Sequence, residues 1–211
     1  MKTDDLIDLL AADNGTPRPD LRLRLLAAAF GGAALSFPLL LLFYGIRPNL
    51  AEAVLDWRVA TKFAVALALA VTGALLALRL ARPVPERGAW LMLLPAPLIL
   101  AVAGTVELAV NPMGSWPDLA LGHYASACLM GVPLLSAIPL AAILWALRDG
   151  APAIPAQAGV AAGAMAAGLG SALYALHCPD DSPLFLAIFY GMAAAAIILA
   201  GRAGGARMLR W

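Results

Sequence analysis

Residues 25–46 read LLAAAFGGAALSFPLLLLFYGI, 22 positions without one charged side chain. A bilayer core about 30 Å thick takes roughly 20 apolar residues in a helix, so this stretch is long enough to cross it. A cleavable leader reads differently, with a shorter apolar core that ends at a small-residue cleavage site. Here 24 residues precede the run, among them Asp4, Asp5, Asp8, Asp13 and Asp20, and the stretch is expected to be a retained first span. Five more apolar stretches follow at 59–80, 90–110, 126–147, 156–176 and 184–200. The predicted fold class is all-α, a polytopic membrane protein with six transmembrane helices. Composition agrees: 63% of the 211 residues are hydrophobic and 13% are charged. Soluble domains carry about a quarter charged residues, and disordered chains carry still more charge and less apolar surface, so both classes are excluded.

The connectors carry the expected breakers and charges. Pro83, Pro85, Glu86 and Arg87 stand in one, Asp149, Gly150, Pro152 and Pro155 in the next, and Pro179, Asp180, Asp181 and Pro183 in the last. Pro38, Pro95, Pro97, Pro133 and Pro139 fall inside spans, where membranes tolerate them and kinks are expected. The fifth span is rich in Ala and holds Gly159, Gly163 and Gly168, a composition suited to close helix contact.

Lys and Arg set the orientation. With six spans, eleven fall on the side of the two termini: Lys2, Arg18, Arg22, Arg24, Arg79, Arg82, Arg87, Arg148, Arg202, Arg207 and Arg210. Three fall on the other side: Arg47, Arg58 and the near-membrane Lys62, which is expected to snorkel outward. Both termini are therefore expected in the cytoplasm. The domain plan is a cytoplasmic N-terminal segment at 1–24, a six-helix transmembrane domain at 25–201 and a cytoplasmic tail at 202–211.

The outward side then collects both cysteines and both histidines of the chain: His123, Cys128, His177 and Cys178, with Asp180 and Asp181 beside the last pair. Three readings stand open. The thiols are inert, buried, small apolar groups. Alternatively Cys128 and Cys178 act as a pair, joined by a disulfide or by a transient metal ion in an oxidising compartment. In the third reading both histidines, with Asp180 and Asp181 as ligands or supports, complete a metal site for a soft or borderline ion. The spacing alone does not choose, since there is no Cys-x-x-Cys and no His-x-x-His. No cofactor is required by any motif. Glu107 lies near the outer end of the third span and either reaches water or faces the cysteine cluster.

On the opposite side, Thr3 can cap a short helix from Asp4 to about Ala12, with Asp4 and Asp5 in its first turn. Leu6, Leu9 and Leu10 share one face, extended by Ile7. An acidic helix with an apolar stripe suits a basic-rimmed groove on a soluble partner. It suits an anionic membrane surface less, since interfacial helices favour Lys and Arg.

A net charge of +1 gives no electrostatic case for direct nucleic-acid binding. Phosphate loops, serine elbows and His-Glu-x-x-His are absent from the sequence. A membrane thiol oxidoreductase using the outer cysteines is one alternative function, but such chemistry usually needs a second cysteine pair for exchange. A small-molecule or metal transporter is a weaker one, because polar residues are scarce through the midplane.

Three features together resemble a known family: the run Met1-Lys2-Thr3-Asp4-Asp5-Leu6-Ile7-Asp8-Leu9-Leu10, a cysteine early in the fourth span, and His177-Cys178-Pro179-Asp180-Asp181 before the sixth. This layout is similar to the NrsF family of membrane anti-sigma factors. The resemblance implies a non-enzymatic protein of the inner membrane that holds an extracytoplasmic-function (ECF) sigma factor and releases it under heavy-metal or oxidative stress. By position it implies Cys128 and Cys178 as periplasmic sensing residues, and Asp4, Asp5, Leu6, Ile7, Leu9 and Leu10 as the partner-binding surface. The partners expected are the sigma factor and membrane lipid.

Overall fold

A computed structural model describes Ile7, residues 20–82 and residues 88–210. Every regular element among them is helical. Six principal helices follow in chain order: α1 (Leu21–Phe43), α2 (Trp57–Leu80), α3 (Pro95–Val110), α4 (Ala125–Leu147), α5 (Pro155–Ala175) and α6 (Pro183–Met208). All but α3 are long and apolar enough to cross a membrane. At 16 residues α3 is shorter, and a 3₁₀ turn at Ala89–Leu93 leads into it. The last helix runs on past residue 201 to Met208, and its second turn, Leu186–Tyr190, is π-helical.

The helix starts follow from local chemistry. Asp20 accepts a hydrogen bond from the Arg22 amide at 3.0 Å, and Asp56 accepts one from the Arg58 amide at 2.9 Å. Both satisfy an N–H that the helix itself leaves unpaired. Pro95, Pro155 and Pro183 occupy the first helical position, where the missing N–H costs nothing. Pro95 thus begins a helix, while Pro38, Pro133 and Pro139 lie inside α1 and α4.

The most buried helix is α5, with α2 on one side and α6 on the other. Its small residues are the reason. A methyl group at Gly163 would sit 2.7 Å from the Ile198 Cα of α6, and one at Gly168 would strike the backbone of α2 at Ala66 and Ala70. The chain carries glycine where two backbones touch, which is the packing that small residues permit in membranes. In contrast, Phe30, Leu35 and Leu42 of α1 and Leu98 and Val102 of α3 are exposed. Apolar surface of that extent is left bare in water only at an interaction site, and it suits contact with lipid.

Candidate functional site

The segment that follows α5 is folded by its own backbone. The amides of His177 and Cys178 both donate to the Tyr174 carbonyl, at 3.0 and 3.1 Å. Pro179 has no N–H with which to continue. Ser182 then caps α6 by accepting from the Leu184 amide. Cys178 is held inside the resulting turn and is fully buried.

Cys128 enters from α4, one turn inside its start, and is also fully buried. Both thiols are free and share one apolar cluster with Leu40, Val132, Tyr174 and Tyr190. One turn after Cys128, Gly131 leaves the space that the Tyr174 ring fills. Among the described residues the Tyr174 hydroxyl is buried there without a hydrogen-bond partner, and the Tyr190 hydroxyl lies against the Cys178 thiol.

Two neighbouring carboxylates anchor the turn in different directions. Asp180 Oδ2 accepts from the backbone amides of His123 and Tyr124, at 2.9 and 2.8 Å, and so ties the turn to the start of α4. Asp181 takes two cations. Arg47 Nη1 lies 2.8 Å from Oδ2, and Lys62 Nζ lies 2.6 Å from Oδ1. The same two cations reach the Cys178 carbonyl oxygen, Lys62 at 3.0 Å and Arg47 at 3.4 Å. The Arg47 amide also donates to the Leu176 carbonyl, at 3.0 Å. Burial pushes the Cys178 thiol above the usual thiol range, and the nearby Lys62 ammonium offsets only part of that. The thiolate is the nucleophile and the metal-binding form, so Cys178 stands at neutral pH as a protected thiol.

The histidines stand apart from the sulfurs in role. The His123 side chain is 89% exposed, with Nδ1 3.9 Å from Asp180 Oδ1. The His177 ring packs against the rings of Tyr44 and Tyr174, at 5.3 and 5.7 Å between centroids. Among the described residues, no group of three or more His, Cys, Asp or Glu is placed to hold a metal ion. The two cysteines are brought into one buried cluster as free thiols.

Lys62 does not snorkel. It is fully buried, and its partners Asp181 and the Cys178 carbonyl explain how the burial is tolerated. Glu107 is fully buried as well and faces Arg58 of α2 rather than water, through contacts of 2.9 and 3.1 Å. Arg47 and Lys62 were not singled out by sequence as parts of the site. The available signal was the shortage of cations on that side, where Arg47, Arg58 and Lys62 face six carboxylates, those of Glu52, Asp56, Glu107, Asp118, Asp180 and Asp181. At the other end of the chain, Asp4, Asp5, Leu6, Leu9 and Leu10 lie outside the described residues, as does the short helix expected there. Ile7 alone is described, as helical and exposed.

The family model described as "Negative regulator of sigma F", NrsF, matches residues 10–211. A protein of Caulobacter vibrioides (strain NA1000 / CB15N) named anti-sigma-F factor NrsF is 37% identical over 216 positions, covering the whole of both chains. A protein of Azospira oryzae (strain ATCC BAA-33 / DSM 13638 / PS) named probable anti-sigma-F factor NrsF is 33% identical over 218 positions, again over the whole of both. No solved structure matches the chain. The family that the sequence resembles is thereby borne out, and the chain belongs to the NrsF family.

Proposed function

We propose that this chain is a six-span anti-sigma factor of the inner membrane, with both termini cytoplasmic. At rest it holds an ECF sigma factor through residues 1–24, and it releases that factor when Cys128 and Cys178 react on the periplasmic side. The observation that carries the reading is full-length similarity to a protein named as an anti-sigma-F factor. The eleven-to-three distribution of Lys and Arg supports the orientation. The span 90–110 takes in α3 together with most of the 3₁₀ turn before it, which lengthens a helix otherwise short for a crossing.

The placement of both free thiols in one cluster supports the sensing role, and a reagent reaches them only when the turn around Cys178 opens. With hydrogen peroxide as oxidant, each thiol gives up its proton, one S–S bond forms, the O–O bond breaks and two waters leave. A soft divalent cation would instead displace the two thiol protons and be held between the sulfurs, with no redox change. Either event ties α4 to the turn before α6. A hundredfold loss of sigma-factor affinity corresponds to about 2.7 kcal/mol of coupling, within the usual range for linked sites.

The test is co-purification from membranes of the full chain, of a chain lacking residues 1–24 and of the Leu9→Asp variant. A sigma factor that accompanies the full chain and is lost from the other two supports the reading. A sigma factor that accompanies none of the three, with the full chain present in the membrane, contradicts it.

A further inference from the structure

We propose that Lys62 is a positioning residue that couples the Cys178 main chain to α2, and that α2 carries the state of the cysteines to the base of the N-terminal segment. The inference rests on the cysteine-sensing reading and adds the route by which a change at the thiols leaves their site.

Two placements make the route. One face of α2 is buried from end to end, with Lys62, Ala66, Ala70, Gly73, Ala77 and Leu80 at helical spacing. Lys62 is the charged member of that face, and it ends on the Cys178 carbonyl and Asp181. The carbonyl belongs to the residue whose sulfur reacts. Drawing Cys178 toward Cys128 therefore moves one of the two acceptors of a fully buried ammonium, the other being Asp181. Lys62 must follow or lose a partner, and either result is felt by α2. The rest of the face is small: Ala66, Ala70 and Gly73 lie against the backbone of α5 at Gly168 and Met165. Such a contact lets one helix slide a short way along another without side chains interlocking.

At its other end α2 reaches the entry of α1. Leu75, Leu78 and Arg82 line a groove of about 410 Å³ together with Asp20, Leu21 and Arg22, where residues 1–19 join the bundle. A shift of α2 changes the shape of that groove, next to the segment that holds the sigma factor in the reading above. Arg47 supports the clamp from the α1–α2 connection, and it leaves Asp181 with one counter-charge when Lys62 is replaced.

The test uses the full chain with its sigma factor bound, treated with diamide, whose N=N bond takes up the two hydrogens as the disulfide forms. Lys62→Met keeps the unbranched stem, one atom shorter, and removes the ammonium, while Lys62→Arg keeps the charge. In Lys62→Met the disulfide is expected to form, but the diamide concentration that releases half of the sigma factor is expected to rise about tenfold or more, with Lys62→Arg close to wild type. Disulfide formation with release at the wild-type concentration in Lys62→Met would overturn the proposal. So would equal loss of release in both variants, which would mark Lys62 as structural only. Amide exchange on the unmutated protein gives an independent check. Oxidation is expected to change protection at Leu75 to Leu80 of α2, and unchanged protection there overturns the proposal even if Lys62→Met fails to fold. Release failing in the wild type, with α2 still responding, is instead the failure of the sensing reading.

Discussion

Asp181 is the residue on which the site's electrostatics turn. Two buried cations share its carboxylate, so Asp181→Ala leaves Arg47 and Lys62 without that counter-charge, with the neutral Cys178 carbonyl as their shared acceptor. Breaking a buried ion pair from one side costs about 3–5 kcal/mol, and a loss of that size is expected in unfolding of the detergent-solubilised protein. Lys62→Met leaves a one-to-one pair of Arg47 with Asp181 and is expected to lose much less. Equal losses in the two variants would contradict the arrangement. The thiol makes a second prediction. Burial holds Cys178 above the ordinary thiol value of about 8.5, so its thiolate fraction at neutral pH is below that of a free cysteine. Alkylation of Cys178 in a Cys128→Ser background is expected to be slow at pH 7 and to rise only beyond the ordinary range. The same measurement in denaturant should move the profile down to the ordinary value. A profile centred below about 8.5 in the folded protein would mean that Lys62 outweighs burial.

Helices were the most legible level, because an uncharged run of bilayer length admits few other forms. The glycine-rich contact surface of α5 follows from residue chemistry that sequence carries openly, whereas the caps at Asp20 and Asp56 start α1 and α2 a few residues ahead of the apolar runs at 25 and 59. What sequence could not supply was which side chains meet. Lys62 near a helix start reads as a snorkelling residue, and only the approach of the turn after α5 makes its burial tolerable. Glu107 and Arg58 are 49 positions apart and pair for the same reason, since contacts between helices depend on register that hydropathy does not encode. The histidines show the converse. Proximity in sequence to Cys128 and Cys178 suggested ligands, yet His123 points outward and His177 packs among tyrosines. At this scale the account predicts that Gly163→Val separates α5 from α6, since a methyl group there already meets the Ile198 Cα at 2.7 Å. Overpacking of this kind costs about 1–3 kcal/mol or more. A thermal shift of the solubilised variant measures it, and unchanged stability would contradict the close contact.

For the molecule as a whole, the proposed route runs from the cysteines along α2 to Asp20, where α1 begins. The turn at Cys178 is tied to α4 by Asp180 and to α2 by Lys62, while α5 packs α2 against α6. A bundle so connected has little room for a purely local change at the sulfurs, and the proposed sensing relies on that connection. The proposed arrangement in the membrane predicts that, in intact cells with the outer membrane permeabilised, an impermeant reagent labels a cysteine placed at His123. It should not label one placed at Arg202, and labelling of both or of Arg202 alone would reverse or break the six-span topology. The central claim is tested most directly by measuring sigma-factor release from the purified full-chain complex before and after diamide, in wild type and in the Cys128→Ser, Cys178→Ser double variant. The account predicts release from wild type on oxidation, and a double variant that binds as tightly at rest but keeps its sigma factor. Release from the double variant at the same diamide concentration would contradict it.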